Sequence, residues 1–203
     1  MPALRDRTRD ADSAVGLTME QQGCEPVVFT VGHSSRPLAD FIALLKAHAV
    51  TRLIDVRTVP RSRHNAQFNS DTLPLALATE GIDYEHVPGL GGLRKAHAES
   101  ANTGWRNASF RGYADYMQTA EFAEQLQRLL AIAERERIAL MCAEAVPWRC
   151  HRSLIADALT VHYVSVEEIT SATRRQRHKL TPFAKVRGMT ITYPPEEAQR
   201  VHA

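Results

Sequence analysis

The sequence predicts an α/β fold of three layers: a mostly parallel sheet of about five strands with helices on both faces. Short apolar runs rich in β-branched residues alternate at least four times with segments whose apolar residues recur at helical spacing. Such alternation implies right-handed crossovers between parallel strands. The 203 residues are 44% hydrophobic and 24% charged, enough apolar material and length for one full core.

Residues 1–25 show no apolar period and read as a leader, leaving 26–203 as a single α/β domain. Val27-Val-Phe-Thr-Val31 reads as the first buried strand and ends at Gly32-His33-Ser34-Ser35. Pro37 suits the first turn of a helix carrying Leu38, Phe41, Ile42 and Leu45. Arg52-Leu-Ile-Asp-Val56 is the second strand. Ser70 or Asp71 is the expected cap of a helix with Leu73, Ala76 and Leu77, stopping at Gly81. Ile82–His86 alternates as a third strand, and residues 88–108, with four glycines, read as a long loop.

A helix over about 119–134 would bury Phe122, Leu126, Leu129, Leu130 and Ala133. Ile138-Ala-Leu-Met141 is the most apolar strand and runs straight into Cys142. Leu154, Ile155, Ala158 and Leu159 mark a helix from about 151 to 160, and a fifth strand is expected at 162–166. Met189–Tyr193 reads as an edge strand, and 174–179 is a basic stretch.

A formal charge of +2 lacks the basic excess of a general nucleic-acid binder. No apolar run approaches the roughly 20 residues that span a bilayer, so no membrane partner is expected. Three cysteines, Cys24, Cys142 and Cys150, are too few for a disulfide framework, and a reduced, cytoplasmic setting follows.

Ligands of open parallel sheets bind beyond the carboxyl ends of the strands, so the residues just after each strand are the candidates. These are His33 and Ser34; Asp55 and Arg57 with Arg61, Ser62 and Arg63; Cys142 and Glu144; and Cys150, His151 and Arg152 where the next helix begins. His33, Asp55, Arg57, Cys142, Glu144 and Cys150 are expected to line one cleft. Several plainer readings compete. His33 and Ser34 suit a helix cap, Asp55 and Arg57 a structural ion pair, and Cys142 a small buried hydrophobe. Cys150 is less easily dismissed, because a helix N-terminus beside His151, Arg149 and Arg152 favours a thiolate.

Known site types fit poorly. A cysteine phosphatase loop keeps five residues between Cys and Arg, whereas six residues lie between Cys142 and Arg149 and nine between Cys142 and Arg152. Leu53-Ile-Asp-Val-Arg57 suggests a rhodanese-like transferase, but no compact cysteine loop accompanies it. Cys142, Glu144, Cys150 and His151 are zinc-ligand types at a spacing that is not standard, so no metal ligand and no cofactor is assigned.

Taken together, the chain resembles the family called domain of unknown function 488. The stretches that carry the resemblance are Thr30-Val-Gly-His-Ser34, Leu53-Ile-Asp-Val-Arg57 with Pro60-Arg-Ser-Arg63, Gly81–His86, Leu90-Gly-Gly92, Phe110–Met117, Leu140-Met-Cys-Ala-Glu144 with Pro147–Ala158, and His178–Phe183. They span about residues 27 to 194. One departure is Leu159-Thr-Val-His-Tyr163, where the family often has a glycine turn. The resemblance implies a compact α/β fold and a site shared by the two cysteine motifs, and it names no substrate.

The functional expectation is an enzyme, a cysteine-dependent hydrolase or transferase, acting on a small anionic ligand that is phosphorylated or nucleotide-like. Arg57, Arg61, Arg63 and Arg152 would hold the anion. Cys142 or Cys150 would be the nucleophile, Glu144 or His151 the acid and base, and Trp148 a stacking face. Two alternatives stand beside it. One is a metal- or redox-sensing module using Cys142, Cys150 and His151. The other is a nucleic-acid-binding accessory protein using the arginine-rich loops and the 174–179 stretch.

Overall fold

A computed structural model describes residues 26–195; the expected leader over 1–25, with Cys24, and residues 196–203 lie outside them. The main sheet has six strands in the order β3-β2-β4-β1-β5-β6. They are β1 (Val27–Gly32), β2 (Arg52–Asp55), β3 (Asp83–His86), β4 (Ile138–Cys142), β5 (Ser165–Ser171) and β6 (Arg174–Arg177). The first five run parallel, and β6 pairs antiparallel with β5 as an edge.

Helices cover both faces, and β4 shows why. Successive strand side chains point to opposite faces. Ala139 and Met141 join one apolar cluster with α1 (Leu38–Ala47) and α2 (Leu73–Ala78), through Phe41, Leu45, Leu73 and Leu77. Ile138, Leu140 and Cys142 join the other with α3 (Ala108–Tyr116), α4 (Ala120–Ala133) and α5 (Arg152–Val161), through Tyr113, Leu126 and Leu154. No helix among the described residues is long and apolar enough to cross a membrane.

Several elements differ from expectation. The fifth strand starts at Ser165, because α5 runs to Val161 and the chain turns through Tyr163 at φ +62 before it extends. Neither Ser70 nor Asp71 caps α2; Thr72 holds that position without capping the helix backbone, and its hydroxyl donates instead to Asp71. Residues Thr190–Thr192 form β8, which pairs with β7 (Lys185–Arg187) in a hairpin apart from the main sheet.

The 88–108 segment is tied down by two side chains. Arg94 donates to the Gly89 and Gly91 carbonyls and lies 3.5 Å over the Tyr116 ring. Asp115 accepts from Ser100, Asn102 and the His97 backbone. Burial works against the charge on Asp115, but these donors outweigh it and hold its carboxyl below the usual range.

Candidate functional site: a cysteine pair beyond the sheet

The carboxyl ends of β1, β2 and β4 lie side by side, with Gly32 opposite Cys142 and Asp55 opposite Met141. Pairing continues past β1 as His33 and Ser34 donate to the carbonyls of Cys142 and Ala143. Only glycine fits at position 32, since a Cβ there would overlap the Glu144 carbonyl oxygen. The chain then turns through a 3₁₀ turn at Pro147–Arg149 and returns Cys150 to the end of β4.

Cys142 Sγ and Cys150 Sγ are 2.6 Å apart, and each residue is 3% exposed. His151 Nδ1 lies 3.7 Å from the Cys150 sulfur, and the Arg152 backbone N–H points at the same sulfur from the first turn of α5. Burial alone would raise Cys150. The Cys142 S–H, the His151 ring and the positive charges of His151 and Arg152 outweigh it and hold Cys150 well below the usual thiol range. Cys142 is pushed far up, first by donating to Cys150 and then by burial. The two thiols therefore titrate as a unit, with Cys150 the more readily ionised of the two.

His151 is fixed for this role. Its Nε2–H donates to the Val56 carbonyl at 3.0 Å, and the Tyr113 ring lies 5.0 Å away, which leaves Nδ1 turned toward Cys150. Gly92 backs onto that nitrogen so closely that a Cβ would collide with it.

Arg57 stands on the β2 side. Its guanidinium is bidentate on Asp55, with a shortest contact of 2.6 Å, and it also donates to the Phe68 carbonyl. Tyr84 donates to the same carboxylate at 2.7 Å. His33 stacks on Phe68, with Nδ1 against the Ser34 carbonyl and Nε2 3.2 Å from Arg57 Nη1. Burial, helped by the Arg57 charge and opposed by the Ser34 bond, lowers His33 to about 4. It is thus a neutral imidazole whose Nε2 accepts from Arg57.

Arg152 is fully buried. It donates to the Glu144 carbonyl at 2.8 Å and pairs with Glu168 at 3.3 Å, and Glu168 also accepts from Thr30. Burial pushes the Glu168 carboxyl up, against the pull of Arg152 and Thr30.

A cavity of about 450 Å³ opens over the thiols. Arg57, Cys142, Glu144, Cys150 and His151 line it, joined by Thr58, Gly92, Ser109, Phe110 and Arg149. His33 and Asp55 stand behind Arg57, and Ser34 contributes its carbonyl to His33. Arg61 and Arg63 are exposed and form no part of this wall. Trp148 and Arg152 line a different cavity. Among the described residues no group of three or more His, Cys, Asp or Glu side chains is placed to hold a metal ion.

Sequence reasoning did not find Glu168, because the strand expected at 162–166 ends before it; β5 extends to Ser171 and puts Glu168 on the same buried face as Val166. It also missed Tyr84 and Gly92, whose roles depend on partners distant in the chain. A family model described as Domain of unknown function DUF488 matches residues 37–159. The chain belongs to this family. The matched segment includes both cysteines, His151, Arg57 and Asp55, while Thr30, His33 and Glu168 of the same networks lie outside it. Neither the curated proteins nor the solved structures yield a match.

Proposed function

We propose that this DUF488 member is a cysteine-dependent enzyme, a hydrolase or transferase, that acts on a small anionic ligand in the cavity over Cys150. The observation that carries the reading is the buried Cys142–Cys150 pair, 2.6 Å between sulfurs, with Cys150, whose thiol is held below the usual range, at the wall of that cavity. Buried structural cysteines are inert thiols, and a thiolate opening on a cavity is the form that reacts.

Cys150 Sγ attacks an electrophilic carbon or phosphorus, and the bond to the leaving group breaks. The leaving group takes a proton from the His151 imidazolium. Water or an acceptor hydroxyl, losing its proton to His151, then releases the transferred group and restores the thiolate. Arg149 and Arg57 give the wall its positive charge. Arg149 forms no ion pair among the described residues, whereas Arg57 is already tied to Asp55. Glu144 stands at the rim as a further acid or base.

Two alkylating agents of similar size test this, anionic iodoacetate and neutral iodoacetamide. Free thiols react faster with the neutral reagent. At Cys150 the order is expected to reverse, and Arg149→Ala to restore it. Iodoacetamide leading in both proteins would remove the anionic ligand from the account.

The sulfur separation also favours a second, redox reading. Diamide would take two electrons and the one shared proton from the pair and a second proton from water, becoming a hydrazine and leaving one intramolecular disulfide. Joint loss of both thiols, reversed by dithiothreitol, is the expected result. Oxidation of either cysteine alone would reject it.

A further inference from the structure

A second cavity, of about 330 Å³, shares no lining residue with the thiol cavity. Its wall includes Trp105, Trp148, Arg152, Arg177, Lys179 and Phe183. Two of these side chains carry buried N–H groups that find no acceptor among the described residues: Trp105 Nε1 and Arg152 Nε. Burying a donor without an acceptor is costly, so two in one wall call for a ligand acceptor.

The rest of the wall narrows the ligand. Trp148 is 71% exposed, which a tryptophan serving only to pack the core would not be. Trp105 lies 4.9 Å from Phe183, so the wall carries aromatic surface for a planar ring. Glu168, the one acidic residue of the wall, is engaged by Arg152 and Thr30. Arg177 and Lys179 form no ion pair among the described residues, and they leave the wall with net positive charge. Basic residues on an edge strand guard against edge-to-edge pairing. That accounts for charges on β6 and not for buried orphan donors beside two tryptophans.

We infer that this cavity binds a nucleotide, a planar base joined to a phosphate, either free or within a single strand. The base stacks on the tryptophan surface, its acceptor edge takes the orphan N–H groups, and the phosphate meets Lys179 and Arg177. A volume near 330 Å³ suits one nucleotide.

The chain has two tryptophans, and both line this cavity, so intrinsic tryptophan fluorescence reports on it alone. The probes are the four nucleoside monophosphates, their nucleosides, inorganic phosphate and a single-stranded tetranucleotide. At least one monophosphate is expected to quench saturably, with its nucleoside roughly tenfold weaker and phosphate alone silent. By calorimetry, Trp148→Ala loses roughly tenfold in affinity and Trp148→Phe retains it. Lys179→Ala abolishes the preference for the monophosphate over the nucleoside. Both positions are exposed, so neither change removes a core residue. Tighter binding of the tetranucleotide identifies a strand as the source, and equal or weaker binding a free nucleotide. No saturable change with any nucleotide or the tetranucleotide, or an affinity indifferent to both Trp148→Ala and Lys179→Ala, overturns the inference.

Discussion

Cys142 and Cys150 bring their sulfurs within 2.6 Å of each other although eight positions separate them in the chain. Cys142 ends β4, and Cys150 precedes α5, so strand end and helix start meet at one point. Such a pair titrates as a unit: the S–H that stays on Cys142 stabilises the charge on Cys150. Replacing Cys142 with Ala removes that donor. The Cys150 thiol is then expected to rise by about one to two pH units, since a hydrogen bond to a charged group contributes about 1.5–3 kcal/mol. Thiolate absorbance followed through a pH titration measures it, with Cys150→Ser as the blank.

Arg152 and Glu168 form a buried ion pair. Removing one partner leaves the other charge stranded, so Arg152→Ala should destabilise the fold by about 3–5 kcal/mol. The double change Arg152→Met with Glu168→Leu should recover most of that loss. Urea unfolding of both variants decides, and equal losses in the two would show that the pair is not coupled.

Acid acts through His33. Its pKa is about 4 in the folded protein against 6.5 for the free side chain. Between those values the unfolded chain binds the extra proton. Stability is therefore fully present above pH 6.5 and falls as pH drops toward 4, by roughly 2 kcal/mol after allowance for solvent screening. In His33→Gln, whose amide oxygen still accepts from Arg57, the slope of stability against pH over that window should flatten.

Tyr163 has φ +62 and is 81% exposed. A left-handed conformation costs a non-glycine residue roughly 1 kcal/mol, and little packing is lost by truncation here. Tyr163→Gly should raise stability by about that amount, read from thermal unfolding. The family resemblance already marked this turn as one where glycine is usual.

The parallel core was legible because strands buried on both faces read as short apolar runs. Val28 to Val31 and Ile138 to Met141 are buried and carry no competing period. Strand β6 was not legible, since all four of its residues are exposed and its membership rests on backbone pairing to β5. Helix α3 did leave a signal: Asn107 caps it, and Phe110, Tyr113, Ala114 and Met117 keep helical spacing behind the glycine-rich loop.

For the site, position after a strand end pointed to the thiols, His151 and Arg57, which do line one cavity. It said nothing of side-chain direction. Arg152 directly follows His151, yet its guanidinium turns to Glu168 and the second cavity. Arg61 and Arg63 follow β2 as closely as Arg57, but Arg57 alone is drawn inward by Asp55.

Cys150 is held below the usual thiol range and Cys142 above it, so the two thiols should differ in reactivity. Timed alkylation of the native protein across a pH series, with the Cys142 and Cys150 peptides quantified separately by mass spectrometry, tests it most directly. Cys150 should be labelled first, with an apparent pKa well below that of a free thiol, while Cys142 lags at every pH. Labelling of Cys142 first, or equal rates with an ordinary thiol pKa at both, would contradict the account.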